Sequence, residues 1–203
     1  HSILYGMFSD HVRGVEIILA DGERVQLGAG ALNSAARDRL RAGVRDILRD
    51  YAEPIATRYP KTWRTVAGYG LNRLDKDDLN LAPLIAGSEG TLGTITQITL
   101  GLVKRPTMTQ QALLHFDDMR TALESVPAIL EVNPSAVELM DKTLLDMTRA
   151  HPDYSRQLTF IEGDPEVVLA VEFYGENDGD LAAKVERLRT HMAKRGFNGA
   201  CVI

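Results

Sequence analysis

The chain begins with two short apolar runs and then changes to a helical spacing of apolar residues. Residues 15–28, VEIILADGERVQLG, place the runs on either side of Asp21-Gly22, and an Asp-Gly pair in this position predicts a β-hairpin. A helix is predicted next, because apolar residues recur at intervals of four and three. These residues are Leu40, Val44, Ile47, Leu48 and Tyr51. Pro54 is expected to end the helix, since proline lacks the N–H that a helix interior needs.

Residues 107–203 alternate strand-like and helix-like patterns, which predicts an α+β arrangement with a mostly antiparallel sheet. Strands are predicted at residues 111–116, 157–161, 167–174 and 200–203. Helices are predicted at residues 119–130, 136–148 and 181–192. Pro127 predicts a kink or an early end of the first of these helices. Gly196 lies where a glycine cap would follow the last one.

A glycine-rich segment separates an apolar stretch from a Thr- and Ile-rich strand predicted at residues 94–103. Residues 87–93 read GSEGTLG. The backbone N–H groups of such a turn can bind an anion, because glycine has no Cβ to block the approach. Ser88 and Thr91 add hydroxyl donors, and Glu89 is an acceptor suited to a ribose hydroxyl or an amine. A tight turn at the entry to a strand, with Glu89 in solvent, explains the same residues. Spacing alone leaves both interpretations open.

The composition excludes several classes of protein. A net charge of -5 argues against a nucleic-acid partner, which would need a basic face. The single cysteine, Cys201, cannot form an internal disulfide, so a reducing cytoplasmic compartment is the default expectation. No apolar run approaches the roughly 20 residues of a membrane-spanning helix. No signal peptide is visible.

The chain lacks the familiar motifs of catalysis and metal binding. Its five histidines show no metal-ligand spacing. No nucleophile elbow, no P-loop and no Rossmann glycine motif is present in the sequence. No metal site is therefore predicted within these 203 residues, and the motifs identify no catalytic residue.

Residues 84–106, LIAGSEGTLGTITQITLGLVKRP, resemble the FAD-linked oxidases of the vanillyl-alcohol oxidase superfamily, in particular the glycolate oxidase and D-lactate dehydrogenase type. That family has a GSEGTLG core followed by a strand and a proline. Residues 1–28 and residues 66–74, VAGYGLNRL, resemble two further family segments in the same order. Residues 133–141, NPSAVELMD, and residues 167–176, VVLAVEFYGE, resemble the start of the family's cap domain. The resemblance therefore covers nearly the whole chain.

The resemblance implies an α+β fold of two parts. Residues 1–106 would be the C-terminal part of a PCMH-type FAD-binding domain, and residues 107–203 the N-terminal part of an antiparallel-sheet cap domain that covers the substrate. The family's main pyrophosphate loop would precede His1. Its catalytic and metal-binding H-x-G-D-G-N-x-H motif would follow Ile203. We therefore expect a middle fragment that is inactive alone. The long link after Gly28 resembles larger members, in which an iron–sulfur domain follows in the same polypeptide.

The implied activity is that of an FAD-dependent dehydrogenase or oxidase. It would transfer a hydride from a 2-hydroxy acid, such as D-lactate or glycolate, to the flavin and pass the electrons to an acceptor. Motif matching assigns cofactor contacts, mainly through the backbone, to Ser2, Tyr5, Gly6, Gly87, Ser88, Glu89, Gly90, Thr91, Gly93 and Ile95. Tyr69 and Asn72 are placed at the flavin or substrate edge, although a half-buried packing role explains Tyr69 equally. Arg73 is interpreted as a surface residue.

Two alternatives to this activity stay open. One is a flavoprotein of the same fold with another substrate, such as an ether-lipid synthase or a cell-wall precursor reductase. The other is a non-catalytic FAD-binding or electron-transfer subunit. An exposed apolar edge also predicts self-association into a homo-oligomer. The expected location is cytoplasmic, with attachment to the periphery of the inner membrane as a variant.

Overall fold

The computed structural model describes residues 1–62, 64–65, 68–75 and 77–203. They form two compact units, residues 6–103 and residues 104–203, the latter together with a first short helix, α1 (Ser2–Tyr5), and His1. Each unit has its own buried core. Val66 and Ala67, which belong to the family-like segment 66–74, lie outside the described residues.

The N-terminal unit contains an antiparallel sheet with the strand order β2-β1-β3. The strands are β1 (Val12–Ile18), β2 (Arg24–Gly28) and β3 (Thr94–Leu100). The predicted hairpin is confirmed, since β1 and β2 pair across a turn in which Gly22 has a φ of 85°. β3 is an edge strand, and the apolar face of the sheet continues onto it at Ile95, Ile98 and Leu100, which are about two-fifths exposed.

The described helices of this unit are α2 (Phe8–His11), α3 (Ala35–Asp50), α4 (Ala52–Arg58) and α5 (Ala82–Ile85). The Ser34 hydroxyl caps α3 by accepting the Arg37 N–H at 3.1 Å. The expectation that Pro54 ends the helix is wrong. α3 already ends at Asp50, and Pro54 lies in the first turn of α4, where no helical partner exists for its missing N–H. The core forms between the sheet, α3 and α5.

The C-terminal unit is a four-stranded antiparallel sheet in the order β5-β6-β4-β7, so the predicted α+β class with an antiparallel sheet is confirmed. The strands are β4 (Met108–Phe116), β5 (Ala136–Asp141), β6 (Val167–Gly175) and β7 (Cys201–Val202). The helices are α6 (Met119–Leu130), α7 (Lys142–Ala150) and α8 (Asp178–Ala193). β6 is buried on both faces. Leu169 packs with α6 and α8 on one side, and Val168 packs with Leu145 of α7 on the other.

Two predictions of secondary structure in this unit are wrong. Residues 136–141 were expected in a helix, but they form β5, because pairing with β6 satisfies their backbone and Asp141 then caps α7 by accepting the Leu144 N–H at 2.8 Å. Residues 157–161 were expected in a strand. They instead follow a 3₁₀ turn, Ser155–Gln157, and pack Leu158 and Phe160 against the sheet without pairing.

One proline and one glycine of this unit were predicted to affect the ends of its helices. Pro127 does not end α6, which continues to Leu130, and the proline is exposed to solvent. The predicted Gly196 cap is confirmed. Its N–H donates to the Ala193 carbonyl, and the next N–H, of Phe197, donates to the Met192 carbonyl, as in a Schellman motif. No described helix is long and apolar enough to cross a membrane.

Candidate functional site

The glycine-rich loop begins directly after α5 and contains a tight turn from Ser88 to Thr91. The Thr91 N–H donates to the Ser88 carbonyl at 3.0 Å. Both central residues have positive φ, 53° at Glu89 and 77° at Gly90, which is the pattern of a type I′ turn. Glycine tolerates this region, but a glutamate there is strained. Strained backbone of this kind occurs preferentially at binding and catalytic sites.

The glycines of the loop have two different roles. A Cβ placed on Gly87 or Gly90 would meet no described atom within 4 Å, so both Cα atoms face open space. Gly93 differs, because a Cβ there would lie 2.9 Å from the Ile18 carbonyl oxygen. Pairing of β3 with β1 therefore requires a glycine at position 93, whereas Gly87 and Gly90 leave the backbone open to an incoming ligand.

The Ser88 hydroxyl is the most informative polar group of the loop. Ser88 is only 3% exposed, and its Oγ forms no hydrogen bond with any of the described residues. Ser135 is equally buried, yet its hydroxyl donates to the Glu172 carbonyl at 2.9 Å. A buried hydroxyl without a partner costs about 1–3 kcal/mol. Such a group is expected where a ligand provides the missing hydrogen bond.

Tyr69 and Thr91, assigned to different contacts by the sequence, are joined by a hydrogen bond. The Thr91 hydroxyl donates its proton to the Ser88 carbonyl at 2.5 Å. It must therefore accept from the Tyr69 hydroxyl, whose oxygen lies 2.7 Å away. Tyr69 is 40% exposed and its own carbonyl accepts from the Tyr59 hydroxyl at 2.7 Å. The tyrosine thus lies against the glycine-rich loop and stabilises its turn.

A groove of about 470 Å³ opens beside Gly87. The described residues that line it include two arginines, Arg13 and Arg73, and one acidic residue, Asp10. One oxygen of Asp10 pairs with Arg73, and the other accepts the Met7 N–H at 2.7 Å. Arg73 is exposed, as expected of a surface residue, and it also lines the groove and forms an ion pair with Asp10.

Sequence reasoning missed Asp10 and Arg13 altogether. Gly6, which was assigned to the cofactor, has a φ of 81°, and a Cβ there would lie 2.7 Å from an Asp10 oxygen. An acidic residue four positions after a glycine of a suspected cofactor segment was the signal available. Its partner Arg73 is 63 residues away, and no local pattern connects the two.

The remaining assigned residues lie elsewhere. Ser2 and Tyr5 belong to the C-terminal unit, where the Tyr5 ring lies 6.4 Å from that of Tyr174. Asn72 is exposed in a 3₁₀ turn, Leu71–Arg73, and does not line the groove. Ile95 pairs with Ile17 and is 40% exposed on β3.

The loop and the groove fit the polar parts of the flavin nucleotide that the resemblance implies. Open glycine backbone provides N–H donors for phosphate or ribityl oxygens, and the Ser88 hydroxyl has no partner among the described residues. Arg13 and Arg73 add positive charge beside them. The described residues contain no group of three or more His, Cys, Asp or Glu side chains that could hold a metal ion.

Several known proteins are similar to this chain in sequence. Residues 105–202 match the family model described as FAD linked oxidases, C-terminal domain. D-2-hydroxyglutarate dehydrogenase of Pantoea ananatis (strain AJ13355) is 28% identical over 202 residues, a match that covers 92% of this chain and 20% of that protein. The glycolate oxidase subunit GlcD of Escherichia coli (strain K12) is 30% identical over 129 residues, covering 63% of this chain and 25% of that protein.

The fold of the chain is also similar to that of a solved structure. A solved structure of alkyldihydroxyacetonephosphate synthase superposes with a TM-score of 0.52 at 15% identity, covering 98% of this chain and 30% of that one. At this identity the likeness shows the fold alone. The chain spans about a fifth of the length of the D-2-hydroxyglutarate dehydrogenases that it matches. The family match and the sequence relatives support the FAD-linked oxidase superfamily, and residues 105–202 are the part of the chain that matches the C-terminal domain of these oxidases.

Proposed function

We propose that this protein is part of an FAD-dependent dehydrogenase or oxidase that oxidises the CH–OH group of a 2-hydroxy acid, such as D-2-hydroxyglutarate, D-lactate or glycolate. The observation that carries the proposal is the loop of residues 87–91. It has open glycines and a buried Ser88 hydroxyl without a partner among the described residues, and its Gly87 lines a groove with two arginines. The names of the sequence relatives support the class of substrate.

In this proposal the N-terminal unit binds the nucleotide. The backbone N–H groups near Gly87 and Gly90 and the Ser88 hydroxyl donate to its phosphate or ribityl oxygens. Arg13 and Arg73 attract anionic groups into the groove. FAD, when bound, supplies the hydride acceptor for the oxidation. We assign residues 1–106 to the FAD-binding domain and residues 107–203 to the cap domain.

No residue of this chain is assigned as the base that accepts the hydroxyl proton. Asp10 is the carboxylate in the groove, but one of its oxygens pairs with Arg73 and the other accepts the Met7 N–H. Both contacts give it a structural role, holding Met7 and Arg73 in place. A cytoplasmic location and a separate electron acceptor complete the proposal, the former supported by the single cysteine.

Flavin content and anaerobic reduction of the full-length gene product test the proposal. We expect a yellow protein whose visible flavin absorption is bleached by a D-2-hydroxy acid and not by L-lactate. A preparation that binds no flavin would overturn the proposal. If the protein binds flavin but D-2-hydroxyglutarate, D-lactate and glycolate all fail to reduce it, the result would favour the alternative of a flavoprotein with another substrate.

Two glycine substitutions test the loop itself. Gly90→Ala should weaken FAD binding about tenfold, the loss of one or two hydrogen bonds. Gly22→Ala is the matched control, because Gly22 lies in the same unit, has a φ of 85° and also faces open space. Both variants pay a similar backbone strain, so equal FAD affinities in the two variants would contradict the assignment of the loop to the cofactor.

A further inference from the structure

A chain of three hydrogen bonds runs through the N-terminal unit and ends on the glycine-rich loop. The Tyr59 hydroxyl donates to the Tyr69 carbonyl at 2.7 Å. The Tyr69 hydroxyl and the Thr91 hydroxyl lie 2.7 Å apart, and Thr91 in turn contacts the Ser88 carbonyl at 2.5 Å. The chain therefore connects the end of α4 with a loop about thirty residues later in the sequence.

The direction of these bonds follows from the groups involved. A carbonyl oxygen can only accept, so the single hydroxyl proton of Thr91 is used on Ser88. Thr91 can then only accept from Tyr69, and the Tyr69 hydroxyl is the donor. The Ser88 carbonyl receives two hydrogen bonds, from the N–H and from the hydroxyl of Thr91. The Tyr69 hydroxyl fixes the rotamer of Thr91 that makes the second bond.

The turn that these bonds close is strained. Glu89 and Gly90 both lie in the left-handed region, with φ of 53° and 77°. A non-glycine residue in this region costs on the order of 1 kcal/mol, so the turn needs contacts that hold it. Tyr69 provides such a contact at the exposed end of the turn. Without it, relaxation of Glu89 would change the direction of the N–H groups beside Gly87 and Gly90.

We propose that Tyr69 is a positioning residue for this loop rather than a direct contact of the flavin or the substrate. Through Thr91 it holds the 88–91 turn in the conformation that binds the nucleotide. Tyr59, at the end of α4, supports Tyr69 through its backbone carbonyl. The inference rests on the proposed function only for the identity of the ligand. The control of the loop by Tyr69 follows from the hydrogen bonds themselves.

Hydrogen–deuterium exchange of the ligand-free protein tests the positioning role without reference to flavin. We expect Tyr69→Phe to increase exchange in peptides that cover residues 88–91 by about 2- to 10-fold, the range set by one hydrogen bond of about 0.5–1.5 kcal/mol. Tyr51→Phe is the matched control. Tyr51 is an exposed tyrosine of the same unit, 59% accessible, and should leave exchange of the loop unchanged. Unchanged exchange in Tyr69→Phe would overturn the inference.

FAD titrations of the full-length gene product test the path through Thr91. Tyr69→Phe and Thr91→Val should each weaken FAD binding about 2- to 10-fold, and the double variant should be no weaker than Thr91→Val alone. Thr91→Ser keeps the hydroxyl and should bind as the wild type does. Additive effects would mean that Tyr69 contacts the ligand directly, which contradicts the inference. If the wild type binds no FAD but the exchange result holds, the proposed function fails and the positioning role stands.

Discussion

Replacing Ser88 by alanine separates stability from ligand binding at the candidate site. Ser88 is 3% exposed and its hydroxyl has no partner among the described residues. The free energy of unfolding should therefore increase by about 1–3 kcal/mol on removal of the hydroxyl, since that is the cost of a buried polar group left unpaired. For a chain of this length each 1 kcal/mol raises Tm by about 2–4 °C. Loss of one oxygen atom leaves little cavity to offset the gain.

Ser135 is the matched control for this substitution. It is 4% exposed, but its hydroxyl donates to the Glu172 carbonyl at 2.9 Å and lies 3.1 Å from the Glu172 carboxylate. Ser135→Ala removes hydrogen bonds that are made and should lower the free energy of unfolding by about 1.5 kcal/mol. Two buried serines are thus expected to respond with opposite signs.

Urea unfolding followed by circular dichroism measures both variants, and hydrogen exchange by mass spectrometry assigns each change to its unit. FAD titration completes the test. Ser88→Ala should weaken FAD binding about 3- to 10-fold, the equivalent of one hydrogen bond. Destabilisation by Ser88→Ala would show that the hydroxyl has a partner in the free protein. Stabilisation with unchanged FAD affinity would show that the hydroxyl does not serve the cofactor.

Two further substitutions and one chemical modification test the C-terminal unit. Leu114→Ala should lower the free energy of unfolding by about 2–5 kcal/mol in a urea titration, because Leu114 is fully buried in the core and its removal leaves a cavity. The hydrogen bond from Lys142, and after it the one from Arg149, holds the pKa of Asp164 below its usual value of 3.8. This carboxylate therefore stabilises the fold at neutral pH, and its contribution is lost as the pH falls through the lowered pKa. Thermal unfolding should therefore find Asp164→Asn less stable than the wild type at neutral pH and equal to it in strong acid; a difference that persists in acid would contradict this. Burial raises the pKa of the Cys201 thiol, so alkylation of the native protein should be slower than that of a free cysteine and should accelerate in urea.

Local pattern alone determined much of the architecture. Asp21-Gly22 between two apolar runs specified the β1–β2 hairpin, and the apolar spacing of residues 181–192 specified α8 with its glycine cap. The strand β6, which is central in its sheet together with β4, was predicted from the apolar run of residues 167–171 at its start, as expected of a strand buried on both faces. In each case the signal lies within one short segment of the sequence, where the spacing of apolar residues and the turn-forming residues determine the local structure.

Other elements depended on contacts between distant parts of the chain. Residues 136–141 have an ambiguous pattern, and they form a strand because β6 offers a free edge for pairing. The candidate site likewise has features that the sequence indicates and features that depend on contacts between distant residues. The GSEGTLG segment was recognisable from its residues, and Tyr69 was suspected, but the hydrogen bond between Tyr69 and Thr91 was not.

The sequence by itself determined which residue types are present to bind an anion or a nucleotide, because glycine, serine and threonine carry that chemistry wherever they occur. Only the tertiary structure decided which of them are available. It buried the Ser88 hydroxyl without a partner among the residues that the structure describes, left Gly87 and Gly90 facing open space, and made Gly93 necessary for strand pairing. It also paired Asp10 with Arg73 across 63 residues of chain. A polar group is available to a ligand only if it does not already form a hydrogen bond or ion pair with a residue that is distant in the sequence, and no local sequence pattern indicates such a partner.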